Sequence, residues 1–228
     1  MSVFAGPNFP TTNIAFYVDA GNRKSYPGSG STWLDLGPNR LSGSITNATY
    51  STSYGGGLVF ATNAFVSFSA VIQNFNSFTI LSWARPTGNL SASYNGLIFQ
   101  GQEAYPLTDS QVFSLFVNTG SGGGYGWAET RYAMPISVNT TYMFGVTATS
   151  TQTVQYINGS TQSTTNYSTI ANFNSTRAFQ IGKSVAYPGF LSTNYFQGTI
   201  FTVAVWSRAL SAQEIAGVYA ETRGRYLL

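Results

Sequence analysis

Apolar side chains recur along the chain in short runs, with Gly, Asn, Ser and Pro between them. Runs of this length, bounded by turn-forming residues, read as strands. The pattern predicts strands over 14–19, 57–60, 64–69, 77–85, 96–100, 112–118, 125–129, 141–149, 153–157, 178–181 and 196–206. From Phe78 to Ala84 both faces carry apolar groups, which suits a central strand. Val154 and Tyr156 share one face of the 153–157 run, and Asn158-Gly159 follows it as a two-residue hairpin signal. Regular helices between the strands are missing, so a doubly wound parallel sheet is excluded and an antiparallel sandwich or barrel is favoured.

One helix is marked near the end of the chain. Ser211 and Glu214 have capping-box spacing, in which the serine hydroxyl accepts from the backbone and the glutamate reaches back. Ile215, Val218 and Tyr219 then fall on one helical face, and Gly224 is placed to stop the helix near Arg223. Residues 1–13 carry Gly6, Pro7 and Pro10 without periodicity and read as an N-terminal arm ahead of a single domain over 14–228. Val3, Phe4 and Phe9 in that arm are candidates for docking on a neighbouring subunit.

Composition narrows the class. Of 228 residues only 7% are charged, whereas 16% are aromatic and 43% hydrophobic. Such a chain can bury a sizeable core, so it is not a disordered one. Ten basic and seven acidic residues leave a net charge of +3, and the basic residues are scattered apart from Arg23-Lys24 and the Arg223/Arg225 pair. That is no footprint for nucleic acid. Cys and His are both absent from the sequence. Thiol and histidine-based nucleophilic catalysis and Cys/His zinc sites are thereby excluded. No apolar stretch approaches the ~18 residues of a membrane span, and the first residues lack the charged-then-apolar pattern of a secretory signal.

Several segments carry a family resemblance: Tyr17 to Asn22, Thr32 to Leu36, Gly57 to Phe60, Phe78 to Trp83, Gln155 to Gly159, Ile181-Gly182, Phe196 to Ile200 and Val205 to Ile215. In this order and spacing they resemble the laminin G-like jelly-roll domains of the concanavalin A-like lectin/glucanase superfamily. The resemblance runs from about Ile14 to Tyr226. It implies an all-β, antiparallel sandwich of jelly-roll type with one short C-terminal helix. The opening Tyr-Val-Asp-Ala-Gly-Asn run and the closing Arg-Gly-Arg-Tyr run look most like versions found in bacteriophage structural proteins.

A retaining glycosidase needs two carboxyl groups about 5–5.5 Å apart. The acids are Asp19, Asp35, Glu103, Asp109, Glu129, Glu214 and Glu221, and no two stand at i, i+2 on a predicted strand. Calcium wants six to eight oxygens. Asp19 with Asn22, or Asp109 with Ser110, could contribute some of them, but local Asx turns account for these residues more simply. The Gly-rich stretch 120–126 leads through Tyr125 into Trp127, without the Lys-Ser/Thr of a phosphate loop. It reads as a hairpin, whose Tyr125 and Trp127, with Tyr105 and Tyr132 nearby, are candidates to stack on a glycan. No catalytic group, metal site or cofactor is expected. The expected role is a non-enzymatic virion protein on the capsid surface. It would be a decoration or cement subunit that binds the major capsid protein, is itself homo-oligomeric, and has neither a nucleic-acid nor a membrane partner. The alternative is a carbohydrate-binding module that recognises host surface glycans.

Overall fold

The computed structural model describes residues 9–88, 95–100, 113–117, 136–166, 173–185 and 193–226. In chain order the first strands are β1 (Ile14–Asp19), β2 (Thr32–Leu34), β3 (Ser42–Thr46), β4 (Thr49–Ser51), β5 (Gly57–Phe60) and β6 (Phe65–Phe68). Next come β7 (Phe78–Pro86), β8 (Asn95–Gln100), β9 (Phe113–Val117), β10 (Tyr142–Ala148), β11 (Gln152–Ile157) and β12 (Ser160–Asn166). The chain closes with β13 (Phe179–Ile181), β14 (Lys183–Val185), β15 (Thr193–Tyr195), β16 (Gly198–Trp206) and helix α1 (Ala212–Tyr226). A short 3-10 turn, Ser53–Gly55, precedes β5.

Two antiparallel sheets stack as a sandwich. The larger has eight strands in the order β12-β11-β10-β7-β16-β5-β4, with β1 also against β16. The smaller has six, β2-β3-β6-β13-β8-β9, and β14 pairs with β15 apart from both. Strand β16 organises the larger sheet. One of its edges pairs with β7 along most of its length; the other takes β5 at Gly198–Ile200 and β1 at Thr202–Trp206. Its register against β7 slips between Ile200 and Thr202, so Phe201 is an extra residue. A bulge of this kind lets neighbouring side chains break strict alternation. Phe201 and Thr202 therefore both line the outer face, and Ile200 and Val203 stay in the core.

The larger sheet is apolar on both sides. Its inner face contributes Phe16, Phe60, Phe78, Ile80, Phe144 and Val203 to the core between the sheets. Its outer face carries Tyr17, Leu81, Trp83, Met143, Phe201 and Trp206, and α1 lies over them with Ile215, Val218 and Tyr226. Trp83 stacks on Tyr219 at 5.7 Å, lies 4.8 Å from Tyr226, and donates its indole N–H to Thr222 Oγ1 at 2.8 Å. The two apolar faces read from Phe78 to Ala84 are thus both buried, one by the second sheet and one by the helix.

The helix starts as its sequence predicts. The Ser211 N–H donates to Glu214 Oε2 at 2.8 Å and the Glu214 N–H to Ser211 Oγ at 3.2 Å. Arg208 completes the cap with two hydrogen bonds to the Glu214 carboxylate, at 3.0 and 2.5 Å. The predicted end is corrected: Gly224 does not stop the helix, which runs to Tyr226. The cause is tertiary. Tyr226 is buried against Trp83 and Phe201, and those contacts outweigh the weak helix preference of one glycine.

The N-terminal boundary also moves. Phe9, assigned to a partner-binding arm, packs within its own chain against Tyr17 at 5.6 Å and Trp206 at 5.5 Å. Pro10 O accepts the Trp206 indole N–H at 2.7 Å, and Asn13 O accepts from the Ser207 N–H at 2.9 Å. Residues 9–13 are therefore part of the domain, and a ring only 7% exposed has little surface to offer a partner. Val3 and Phe4 lie outside the described residues.

Among the other elements, 14–19 and 57–60 match their predicted bounds, and the rest of the described predicted strands shift by one or two residues. Asn158 and Gly159 take φ of 50° and 80° between β11 and β12, the primed turn geometry that fits a twisted hairpin. Strand β12, Ser160–Asn166, was not predicted: it is wholly polar, so hydrophobic periodicity has nothing to detect. The run 125–129 lies outside the described residues.

Inside the sandwich, Gln100 is fully buried. Its amide oxygen accepts from the Val71 and Ile72 N–H groups at 3.1 and 2.9 Å, and its amide nitrogen donates to Ile72 O and Ser175 O at 3.1 and 2.8 Å. One side chain thus satisfies four backbone groups. Gln100→Leu leaves them without partners, and unmatched buried groups cost about 1–3 kcal/mol each before relaxation. A loss of about 3–5 kcal/mol is expected in urea unfolding, and a change below 1 kcal/mol would contradict the bridging role.

The cap sets a pH response. The Arg208 hydrogen bonds foremost, with the Ser211 N–H and hydroxyl adding, hold the Glu214 carboxyl at about 2, below its ordinary 4.5. A lowered folded pKa stabilises fully above the unfolded value and loses that contribution as pH falls toward the folded one. Between pH 4.5 and 2 the melting temperature of the natural chain is expected to fall more steeply than that of Glu214→Gln. Parallel curves in calorimetry would contradict it.

Candidate functional site

A cleft of about 570 Å³ opens where the end of β1, the Ser53–Gly55 turn and the last turn of α1 converge. Asp19, Asn22, Arg23, Gly55, Glu221 and Arg225 line it, with Tyr17 and Tyr226 beside them. It is a wide cavity bordered by charged groups.

Asp19 leaves β1 on the outer face, and Arg225 reaches it from the helix end. Arg225 Nη1 donates to Asp19 Oδ2 at 2.7 Å and Nη2 to Oδ1 at 2.6 Å. This fork-to-fork pairing is the strongest geometry open to the two groups. Nη2 also reaches Gly55 O at 3.0 Å, which ties the 3-10 turn to the same point. The Gly21 N–H donates to Asp19 Oδ1 at 3.0 Å, and the Tyr17 hydroxyl lies 3.4 Å from Oδ2. A side chain at position 21 would run into Gly55 O and the Arg225 guanidinium, so this close approach requires glycine. Burial, with the Asp19 charge second, pushes the Tyr17 and Tyr226 phenols up, so both stay neutral. Burial works against the Arg225 charge, and the Asp19 hydrogen bonds together with the electrostatic pull of Tyr226, Asp19 and Tyr17 outweigh it.

Both carboxylate oxygens of Asp19 are therefore engaged. The guanidinium stands where a calcium ion bound by Asp19 would have to sit. Asn22 Oδ1 accepts from the Lys24 N–H at 3.0 Å, an Asx turn. The other described acids are similarly placed. Asp35, 2% exposed, accepts from the backbone N–H groups of Tyr17, Gly37 and Leu41 at 2.8, 2.6 and 3.3 Å. Burial pushes its carboxyl up, and these bonds pull the other way without cancelling the effect. Glu214 caps the helix, and Glu221 lies on the rim of the cleft. Among the described residues no three side chains of metal-ligating type come together. Nor is any helix among them long and apolar enough to cross a membrane.

The sequence-predicted glycan contacts Tyr105, Tyr125, Trp127 and Tyr132 lie outside the described residues, as do Glu103, Asp109 and Glu129. The residue that sequence reasoning missed is Arg225. It is 206 positions from Asp19, and its one sequence signal is its place in the Arg-Gly-Arg-Tyr run that carries the family resemblance.

Two sheets stacked face to face, closed by a helix that latches the last turn to the first strand, define a lectin-like jelly roll. A laminin G family model, described as the concanavalin A-like lectin/glucanases superfamily, matches residues 60–216, more than half of the chain. The chain belongs to that superfamily. No curated protein sequence matches it. Among solved structures it is similar to domain 4 of the extracellular arabinanase AbnA from Geobacillus stearothermophilus, in complex with arabinotriose. That match has 15% identity and a TM-score of 0.68, over 91% of this chain and 98% of that one. It is also similar to the binding domain of Paraclostridial Mosquitocidal Protein 1, with 13% identity and a TM-score of 0.67 over 92% and 52%. Trypanosoma rangeli sialidase in complex with sialic acid matches with 16% identity and a TM-score of 0.67 over 95% of this chain. The chain spans about a third of the length of the sialidase chains, at 34%. At these identities the likeness is one of fold.

Removing Arg225 leaves the Asp19 carboxylate, 6% exposed, without its counter-charge. Arg225→Ala is expected to cost about 3 kcal/mol, at the low end for a broken buried pair because the arginine itself is partly solvated. Asp19→Asn with Arg225→Leu should recover part of the loss. Chemical denaturation of the two variants checks both values.

Proposed function

We propose that this chain is a non-catalytic carbohydrate-binding module. The observation that carries the reading is the near-complete overlap with arabinanase domain 4, a separate domain in complex with arabinotriose. This likeness is an analogy of fold, and fold alone does not assign a function. The side-chain chemistry supports it from a second side. Asp19, Asp35 and Glu214 are each held by structural partners, which leaves none of them for acid–base work on a glycosidic bond. A sequence rich in Ser, Thr, Asn, Gln and Tyr and poor in charge suits a neutral, hydroxyl-rich ligand.

The test is direct. The full chain, labelled and applied to an array of neutral polysaccharides with arabinan among them, is expected to bind at least one. It should release no reducing sugar from that polysaccharide. An array without hits, together with no heat of binding for soluble arabinotriose, overturns the proposal; release of reducing ends overturns its non-catalytic part.

A second reading sets the module on a virion surface, where as a homo-oligomer it would clamp the major capsid protein. Its support is the resemblance of the Tyr17–Asn22 and Arg223–Tyr226 runs to phage structural proteins. Those two runs supply Asp19 and Arg225, so the same residues also serve the fold. Failure of the purified chain to sediment with capsids that lack it, and to raise their resistance to heat, would remove this reading.

A further inference from the structure

Among the described residues, two buried side-chain atoms have no hydrogen-bond partner: Trp33 Nε1 and Gln180 Oε1. Trp33 is enclosed by the core between the sheets. Gln180 is different. Its strand neighbours Phe179 and Ile181 point into that core, so alternation sends the Gln180 side chain to the outer face of the six-stranded sheet. The helix covers the outer face of the other sheet, on the opposite side of the sandwich.

Register carries a polar row as far as Gln180, which on its other side faces Phe99 on the next strand, β8. Thr32 on β2 faces Ser44 on β3, Ser44 faces Ser67 on β6, and Ser67 faces Gln180 on β13. All four alternate with core residues and so share the outer face: Trp33 and Gly43 are buried beside Thr32 and Ser44, and Val66 and Phe68 beside Ser67. Four adjacent strands thus present three hydroxyls and one amide in a line, with no charge in it. Exposure falls along the row. Thr32 and Ser44 are exposed, Ser67 is half-buried, and Gln180 is 7% exposed. The polar row starts at the sheet edge on β2 and reaches its most buried member on β13, with β8 and β9 beyond it. Phe65, two residues from Ser67 on the same face, borders it, with Lys183 Nζ 5.0 Å over its ring.

A buried acceptor without a donor is costly to keep in a fold, because it has given up water for nothing. We propose that the Thr32–Ser44–Ser67–Gln180 row is the sugar-binding face of this module, with the Gln180 amide oxygen accepting a hydroxyl at its buried end. The occupant is a neutral oligosaccharide. Vicinal hydroxyls match a line of side chains that both donate and accept, and the row itself carries no charge. The terminal amide torsion of glutamine is broad, so the oxygen can turn toward Ser67 to meet the ligand. This proposal rests on the carbohydrate-binding reading above and locates it.

The experiment uses the full chain and arabinotriose as the probe, followed by backbone and side-chain amide NMR and by titration calorimetry. Shifts are expected to cluster at Thr32, Ser44, Ser67 and the Gln180 side-chain amide. Gln180→Leu should weaken binding at least tenfold and leave the melting temperature unchanged or raised, since it removes an unsatisfied acceptor. Ser67→Ala should weaken binding several-fold. If arabinotriose binds but the shifts lie elsewhere and Gln180→Leu binds as tightly as the natural chain, this location is wrong and the carbohydrate-binding reading stands. If Gln180→Leu melts markedly lower, the amide has a structural role and the proposal fails. If neither arabinotriose nor any arrayed polysaccharide binds, both proposals fall.

Discussion

An eight-stranded sheet with large apolar groups on both faces cannot leave either face in water. That constraint organises the molecule. The second sheet covers one side; the other needs Leu210, α1 and the Phe9 segment, which come from opposite ends of the chain. Burying a Trp or Tyr on that side stabilises by roughly 1.5–3 kcal/mol for each large side chain, so the cover has ample reason to stay in place. What apolar contact does not supply is direction. The Asp19–Arg225 fork, the Glu214 cap and the Trp83–Thr222 hydrogen bond fix the helix at its end, its start and its middle. The bulge at Phe201 belongs to the same device, since it lets Phe201 and Thr202 both meet the helix side.

Much of this was legible in the residues. The double-sided run from Phe78 to Ala84, the Asn158-Gly159 turn and the Ser211/Glu214 cap each carry a local signal with a mechanism, and each occupies its expected place. What was not legible is of two kinds. Strands β12 and β3 are dominated by small or polar residues, and only their neighbours' backbone makes them strands. The ends of the chain were misjudged because Phe9 and Tyr226 are held by rings far away in sequence, Tyr17, Trp83, Phe201 and Trp206. Local composition at a Pro-rich start or a Gly-containing finish does not register such partners.

The same division applies to the site. Asp19 was read as a turn former, and both it and Asp35 do accept local N–H groups, from Gly21 and Gly37. Their distant partners, Arg225 for one and the Tyr17 N–H for the other, emerge only from the pairing of elements. The outer-face row is harder still to foresee. Thr32, Ser44, Ser67 and Gln180 are ordinary polar residues in the linear sequence and become a line only through three successive registers.

The Phe9 segment and the end of α1 both lie on the outer side of the larger sheet, so the two ends of the described chain share one side of the sandwich. The opposite side, which carries the row from Thr32 to Gln180, faces away from both ends. Copies arranged on a common scaffold would all present that side outward without a hinge, so weak single contacts could add into avidity through spacing alone.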